Sequence, residues 1–342
     1  MATSTPLRER ALDLIRAAET QTISIESRCY LQRSHLTAPA TVWKYVEGAV
    51  KTGADLVMLD LEDSIPRGNS ALLEAGRTNI IRAFSTLDWG RSLRFFRPRG
   101  LVLDPGFEDI QTIVTAAGVH IEGLIWPKAE GASEILLLDE ALAEAEHAAG
   151  IAEGSIKVGI LIESVRAEEE AFWIAGASRR VRSLIFGAFD YFSSLGIIGS
   201  PYRFDHPLVD AARARITKAA ASVGVPAIAE MTINYPTKNK SIEEQQAALN
   251  ELERDAKHAL HLGMRGKWVG IPAQLPIVHN VFGLPESEVR RALEEVRAFE
   301  AAEREGKGAT IIQGKMADRA TDRHNRVILE AAVSLGMLSI SQ

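Results

Sequence analysis

The sequence lacks the covalent and membrane anchors on which many small or embedded proteins depend. Cys29 is the one cysteine among 342 residues, so no disulfide can form within the chain. This excludes a disulfide-built fold and suits a reducing compartment. No apolar run approaches the roughly 18 residues that a bilayer-spanning helix needs, and the amino terminus has no apolar signal-peptide block. We therefore expect a cytoplasmic protein without a membrane partner.

Positive charge and cofactor motifs are also scarce. Lys and Arg number 39 against 45 Asp and Glu, a net charge of −6, which argues against nucleic acid as a partner. No Cys/His cluster has the spacing of a zinc site, and no glycine-rich dinucleotide fingerprint follows an early strand. Hydrophobic residues, by contrast, are abundant and make up 46% of the chain. That is enough for a large core without disulfides.

Short apolar runs recur along the chain, and each is followed by a loop and an amphipathic stretch. Their spacing averages about 33 residues, the length of a strand-plus-helix unit. Eight such units predict a closed (β/α)₈ TIM barrel. An open doubly wound sheet is the alternative, and the missing dinucleotide fingerprint weakens it. The predicted strands are 33–36, 56–61, 93–96, 123–126, 158–162, 183–186, 227–231 and 267–271.

Helical patterns extend beyond the barrel at both ends of the sequence. An amphipathic stretch at 7–18 precedes the first strand, and two more, at 287–305 and 322–335, follow the eighth. We therefore divide the chain into three parts, which are an amino-terminal helical extension (1–30), the barrel (31–285) and a carboxyl-terminal helical segment (286–342). Two helices beyond a completed barrel would cap it or reach a neighbouring subunit.

The predicted strand ends carry more charge than a purely structural barrel needs. Catalysis in TIM barrels takes place at the carboxyl ends of the strands, and buried charges are costly unless they are paired or metal-bound. The charged residues predicted there are Arg33, Asp60, Glu62, Asp63, Arg94, Arg97, Arg99, Lys128, Glu163, Asp190 and Glu230.

Glu163 and Asp190 are the candidate metal ligands. Each follows an apolar run, and the two strands are consecutive, so their ends are neighbours in a barrel. Two carboxylates, together with water and substrate oxygens, suit a hard cation such as Mg²⁺. The alternative is that both residues form salt bridges with nearby arginines.

Asp60, Glu62 and Asp63 form an acidic cluster after the second strand. Period-two alternation points Asp60 and Glu62 to the same face. On a face that looks into the mouth they would hydrogen-bond to metal-bound water, and the alternative is a solvated acidic loop.

Three arginines, Arg94, Arg97 and Arg99, follow or end the third strand. A guanidinium group matches a carboxylate in bidentate geometry, so these residues could clamp a substrate carboxylate. The alternative, for at least one of them, is a basic surface loop.

Taken in order, these residues resemble the citrate lyase beta-subunit and malyl-CoA lyase group of the HpcH/HpaI aldolase superfamily. The resemblance runs from about residue 30 to 335. Its motifs are Arg33-Ser34, DLEDS at 60–64, Pro127-Lys128, LIES at 161–164, FG..D at 186–190, GKW at 266–268 and GKMAD at 314–318.

The resemblance implies a Mg²⁺-dependent barrel that makes or breaks a carbon–carbon bond, usually in a CoA thioester such as malyl-CoA or citramalyl-CoA, with a 2-oxoacid as the other partner. Glu163 and Asp190 would hold the metal. Arg94 would bind the substrate carboxylate, and Arg97, Lys128 and Arg33 would bind substrate beside it. Asp318 would be the catalytic acid, brought by an adjacent subunit of a homotrimer or a dimer of trimers.

Three positions depart from the family pattern. No asparagine follows Arg94 at the second position, Ile271 stands where a histidine is usual, and no lysine precedes Arg77 at the usual distance. In the family this lysine is expected near a CoA phosphate, so its absence puts CoA binding in question. It keeps open a CoA-independent class II 2-oxoacid (pyruvate) aldolase, and a non-catalytic metabolite-binding subunit is the other alternative.

Overall fold

Eight parallel strands close into a barrel in a computed structural model that describes residues 32–338 except 67, 102–105, 200 and 313. The strands pair in sequence order, and the eighth pairs with the first. This confirms the predicted TIM barrel and excludes the open doubly wound sheet. The strands are β1 (Ser34–Pro39), β2 (Leu56–Asp60), β3 (Leu93–Arg97), β4 (Gly123–Trp126), β5 (Lys157–Ile162), β6 (Val181–Phe186), β7 (Ala227–Ala229) and β8 (Gly266–Val269).

Both faces of the strands are buried, which is why they occur as continuous apolar runs. In β2, Leu56 and Met58 point into the barrel, whereas Val57 and Leu59 face the surrounding helices. The same alternation places Phe95 of β3 and Leu161 of β5 inside. Each inward row ends at the carboxyl mouth of the barrel, so the last inward position of a strand meets the site.

Helices cover the barrel on its outside. The longest, Ile242–His261, begins with a capping box in which the Ser241 and Glu244 side chains each bond the other residue's backbone amide. The helices of this unit are α1 (Trp43–Val50), α2 (Ser70–Thr86), α3 (Phe107–Ala117), α4 (Ala132–Ala149), α5 (Val165–Glu169), α6 (Ala171–Gly176), α7 (Ala188–Ser194), α8 (Pro207–Ser222), α9 (Ile242–His261) and α10 (Leu275–Val281), with 3₁₀ turns at Gly118–His120 and Pro272–Gln274.

Residues 285–338 belong to a second compact unit, separate from the barrel unit of 32–284. It contains α11 (Glu286–Arg304), an antiparallel hairpin of β9 (Ala309–Ile312) and β10 (Lys315–Asp318), and α12 (Arg319–Ser334). Two helices were predicted here, and the hairpin was not. The helices join through Asn325, whose side-chain amide donates to Glu295 at 2.7 Å.

The predicted helical extension at 1–30, including the stretch at 7–18, lies outside the described residues. Among the described helices, none is long and apolar enough to cross a membrane.

Candidate active site

The carboxyl ends of five consecutive strands bring most of the predicted site residues to one mouth. Asp60 ends β2 and Arg97 ends β3, while Glu163 follows β5 directly. All three continue the inward-facing rows of their strands, because they stand two residues beyond Met58, Phe95 and Leu161. The full set at the mouth is Asp60, Glu62, Asp63, Arg97, Lys128, Glu163 and Asp190.

Arg97 is the buried centre of this cluster, with 3% of its surface exposed. Its Nε donates to Asp60 Oδ1 at 2.6 Å, and its Nη1 lies 2.9 Å from Glu62 Oε2 and 3.4 Å from an oxygen of Asp63. Its Cζ lies 5.3 Å from the ring centre of Trp268 in β8, within cation–π range. Trp268 belongs to the GKW motif, but no role at the site was predicted for it from the sequence; the structure shows that it points into the barrel.

The DLEDS motif folds into a turn around Asp60. The two carboxylate oxygens of Asp60 accept the backbone amides of Glu62 and Ser64, each at 3.0 Å. Burial acts to raise the pKa of Asp60, but Arg97 and these amides outweigh it and lower that pKa. Asp60 is therefore an ionised anchor that fixes both the turn and the Arg97 guanidinium.

Lys128 and Glu62 connect the loops after β4 and β2. The Lys128 ammonium forms a short ion pair with Glu62 and lies 3.5 Å from Asp63 Oδ1. Burial raises the pKa of Glu62, although the positive charges of Arg97 and Lys128 act to lower it. Glu62 Oε2 lies 2.9 Å from Arg97 Nη1, so it is paired with that cation, but the angle of this contact satisfies no hydrogen bond.

Glu163 is nearly buried, at 7% exposed, and its Oε1 accepts the Lys128 backbone amide at 2.6 Å. Burial, followed by the negative charges of Glu62 and Asp190, raises the pKa of Glu163 to about 8. Asp190 lies exposed in the first turn of α7. A Cβ on Gly187 would approach Glu163 Oε2 to 2.7 Å, so only glycine leaves room for this carboxylate.

A divalent cation fits this donor set. Oε2 of Glu163 has no hydrogen-bond partner among the described residues, and Glu163 repels Asp190 and Glu62. A positive ion would relieve that repulsion, and water bound to it would supply the donor that Glu62 Oε2 lacks. No cluster of three or more His, Cys, Asp or Glu is preformed in the described parts of the chain. The remaining ligands would therefore be water and substrate oxygens, and Mg²⁺ commonly keeps several waters.

Arg94 and Arg33 do not reach this mouth, which corrects their expected roles. Arg94 stands near the amino end of β3 and points outward, where its guanidinium forms two 2.8 Å hydrogen bonds with Glu122. Arg33 precedes β1 and makes the same forked contact with Asp55. Arg94 and Arg97 are three positions apart, an odd step that puts them on opposite faces of the strand.

Arg99 and Glu230 also have structural partners. Arg99 makes forked hydrogen bonds with the buried Asp109. Glu230 joins a buried ion network between β7, β8 and the outer helices, so it faces the helices and not the mouth. The members of this network are Arg213, Glu230, Asp255 and Lys267, and Tyr202 donates to Glu230 at 3.1 Å.

Asp318 lies in the second unit, at the start of α12. Its Oδ1 accepts the amides of Ala320 and Thr321 at 2.9 and 3.0 Å, so it caps the helix. Its pKa is lowered, chiefly by the hydrogen bond from the Thr321 amide. Asp318 is therefore a carboxylate at neutral pH.

A cavity of about 580 Å³ opens beside the mouth. It is lined by Glu62, Asp63 and Lys128, by residues of the loop after β2 and the first turn of α2, and by Arg99 and Gly100. Its volume is in the range of small-molecule sites.

Comparisons with known proteins identify relatives of this chain and solved structures with the same fold. L-malyl-CoA/beta-methylmalyl-CoA lyase of Cereibacter sphaeroides is 29% identical over 314 residues, which cover 88% of this chain and 94% of that enzyme. A citrate lyase from Burkholderia xenovorans superposes with a TM-score of 0.71 at 22% identity, covering 90% and 93% of the two chains. A CitE protein of Mycobacterium tuberculosis, solved with magnesium, acetoacetate and coenzyme A, superposes with a TM-score of 0.62 at 23% identity, covering 88% and 98%.

The family pattern described as HpcH/HpaI aldolase/citrate lyase matches residues 33–262, which span the barrel from the start of β1 to the end of α9. This match covers more than half of the chain and contains every residue at the mouth. The chain therefore belongs to the HpcH/HpaI aldolase/citrate lyase family and is a carbon–carbon lyase.

Proposed function

We propose that the protein is a Mg²⁺-dependent lyase acting on a 3-hydroxyacyl-CoA such as malyl-CoA or citramalyl-CoA. It would cleave the carbon–carbon bond to release a 2-oxoacid, or form that bond in the reverse condensation. The observation that carries the proposal is the placement of Glu163 after β5 and of Asp190 at the start of α7, on consecutive strand ends, at the same mouth as the buried Arg97. The similarity to malyl-CoA lyase supports a CoA thioester as the acyl partner.

Glu163 and Asp190 would hold the ion through carboxylate oxygens. Mg²⁺, when bound, supplies Lewis-acid stabilisation for the carboxylate and neighbouring oxygen of the 2-oxoacid fragment. Glu62 would accept a hydrogen bond from water in that coordination sphere through Oε2, which accepts none from the described residues. The magnesium-containing CitE relative supports this choice of metal.

Arg97 would act as a fixed positive charge beside the reacting oxygens. Its Nε and Nη1 are held by Asp60, Glu62 and Asp63. Negative charge builds on oxygen as the carbon–carbon bond breaks. A guanidinium that is already oriented stabilises this charge without reorganising.

Asp318 would move the proton that completes the reaction. In cleavage the substrate hydroxyl loses its proton as its oxygen becomes the carbonyl of the 2-oxoacid, and the carbon of the acyl enolate gains one; condensation reverses both transfers, and Asp318 would serve the carbon. Because the pKa of Asp318 is lowered, its resting state is the base that condensation needs. The second unit of a neighbouring subunit would bring it to the mouth, in a homotrimer or a dimer of trimers.

A CoA-independent 2-oxoacid aldolase is the second candidate. Leu73 and Glu74 stand where the family pattern has the lysine expected near a CoA phosphate. Leu73 also lines the cavity beside the mouth, together with the acidic Glu62 and Asp63. Loss of a cation from this wall would weaken phosphate binding, since phosphate recognition depends on such charges.

Cleavage assays on two substrate classes separate the candidates. The purified full chain is incubated with Mg²⁺ or with EDTA and offered malyl-CoA, citramalyl-CoA or free 4-hydroxy-2-oxoacids. We expect Mg²⁺-dependent release of a 2-oxoacid from a CoA ester. Cleavage of the free acids alone would favour the aldolase, and binding of Mg²⁺ and oxoacid without turnover would favour a non-catalytic role.

A further inference from the structure

Lys128 has a backbone conformation that residues with a side chain rarely adopt. Its φ is 51°, and it is the one non-glycine residue with a positive φ in the described part of the chain. The left-handed region brings Cβ too close to the following carbonyl oxygen. Such strain persists only where neighbouring contacts fix it, and it concentrates at functional sites.

The contacts that fix this conformation lie on either side of Lys128. Glu134 accepts the Trp126 indole N–H at 2.7 Å through Oε1 and the Glu130 amide at 3.0 Å through Oε2. Glu130 in turn accepts the Ser164 hydroxyl at 3.0 Å. The loop after β4 is thereby tied both to its own helix and to the residue that follows Glu163.

The strained backbone directs the Lys128 amide at the Glu163 carboxylate. The N–H donates to Oε1 at 2.6 Å, which fixes the rotation of the carboxylate. On the opposite side Gly187 leaves just enough space for Glu163 Oε2. The carboxylate is therefore held between two backbones, with one oxygen bound and the other available.

The side chain of Lys128 has a different set of partners. Its ammonium pairs with Glu62 and approaches Asp63, both of which belong to the loop after β2. The backbone and the side chain thus act on separate acidic groups, so substitutions that change one and keep the other can separate the two effects.

We propose that Lys128 is a positioning residue for Glu163, and that divalent-ion binding depends on its left-handed backbone rather than on its ammonium group. The inference rests on the proposed function, because it takes Glu163 as a metal ligand. It assigns Lys128 to the orientation of a ligand, whereas the sequence predicted that it binds substrate.

Three substitutions of Lys128 separate the effect of its backbone conformation on ion binding from the effect of its ammonium charge. Glycine and asparagine accept the left-handed region, and β-branched valine does not. Lys128→Gly and Lys128→Asn should therefore retain an affinity for Mg²⁺, or Mn²⁺ as a probe, close to that of the parent. Lys128→Val should weaken it by about 10- to 100-fold, the usual effect of removing a hydrogen bond that orients a ligand.

The measurement is isothermal titration of the full chain with Mn²⁺, alongside thermal unfolding. Lys257→Asn, which removes an exposed lysine of α9, controls for the change in net charge. A loss of affinity of about tenfold or more in Lys128→Gly and Lys128→Asn would overturn the inference, and those two variants decide it even if Lys128→Val does not fold.

A separate outcome would identify failure of the proposed function. If the parent chain binds no divalent ion, the metal-dependent mechanism fails, and this inference fails with it. If the parent binds Mn²⁺ and Lys128→Val binds it equally well, only the role of Lys128 is wrong.

Discussion

The two ends of the barrel use charged residues in different ways. At the amino end the charges are matched one to one, with Arg33 forked onto Asp55 and Arg94 forked onto Glu122. At the carboxyl end five acids meet two cations. The acids are Asp60, Glu62, Asp63, Glu163 and Asp190, and the cations are Arg97 and Lys128.

This contrast shows how matched and unmatched charge differ in consequence. In a matched pair the two side chains satisfy each other's charge and hydrogen bonds, so no additional ion or ligand is needed there. At the carboxyl end, burial together with the surplus of negative charge raises the pKa of Glu163, and a buried oxygen of Glu62 accepts no hydrogen bond. Both features are costly in the protein alone and become favourable when a cation binds.

The largest effect is expected from removing the charge of Glu163. Glu163→Gln keeps the shape of the side chain but loses a metal ligand, so turnover should fall by about a thousandfold, corresponding to several kcal/mol of lost Lewis-acid stabilisation. Glu122→Gln makes the same change at the amino end and should leave turnover intact. A Glu163→Gln protein that Mg²⁺ still stimulates would contradict the assignment.

Exchanging arginine for lysine at each end tests the contrast directly. Arg97→Lys keeps the charge but loses the fork that holds it between Asp60 and Glu62, and kcat/KM should fall by about 100-fold or more. The measurement is steady-state kinetics at saturating Mg²⁺. Equal activity of Arg97→Lys and the parent would remove Arg97 from the mechanism.

Asp318 tests whether the second unit takes part in the chemistry. Asp318→Asn should reduce turnover by about 100-fold, as expected for a lost acid–base group, while the calorimetric affinity for Mg²⁺ stays unchanged. Mixing Asp318→Asn with Glu163→Gln subunits should restore part of the activity if neighbouring subunits share a site. Near-parental turnover of Asp318→Asn would defeat the assignment.

The raised pKa of Glu163 makes metal binding depend on pH. Burial, with the charges of Glu62 and Asp190, sets this pKa at about 8 without metal, and the carboxyl group must lose its proton to bind Mg²⁺. Affinity should therefore rise by about tenfold per pH unit below that value and level off above it. Titration calorimetry measures this slope, and Glu163→Gln should abolish it.

The same pKa has an opposite effect on the metal-free fold. The folded chain keeps a proton that the unfolded chain releases near the ordinary pKa of glutamate, so stability falls as pH rises from that value towards about 8. Thermal unfolding in EDTA should show this decline, and added Mg²⁺ should offset it most at high pH.

The smallest effect is expected at the amino end. Arg94→Lys breaks the fork onto Glu122, and because the pair is partly exposed it should lower the free energy of unfolding by about 1 kcal/mol. Denaturant unfolding measures the change, and turnover should equal that of the parent. Loss of activity without loss of stability would contradict this assignment and support a role for Arg94 in substrate binding.

The barrel could be predicted from the sequence because its strands are buried on both faces. All eight apolar runs became strands, and the helix predicted at 287–305 is Glu286–Arg304 in the structure. The hairpin of β9 and β10 was missed because its strands have four residues each and expose apolar side chains such as Ile311 and Met316. Such strands give neither a long run nor a clean alternation.

Site prediction depended on the direction of each side chain. The odd spacing of Arg94 and Arg97 puts them on opposite faces of the strand, which was available from the sequence, but only the structure shows that Phe95, and with it Arg97, faces inward. The contact between the Lys128 amide and Glu163 was not available, because it depends on one left-handed backbone angle in a loop. No periodicity carries that information.

Trp268 gives the mouth an optical reporter of its own. Its indole N–H bonds to Thr37 and its ring lies beside the Arg97 guanidinium, so the ring is held in one orientation within the local electric field. A charged ligand that binds next to Arg97 would change that field and therefore the wavelength of the Trp268 fluorescence emission. Ligand binding at the mouth could thus be followed by tryptophan fluorescence, without an added label and without turnover.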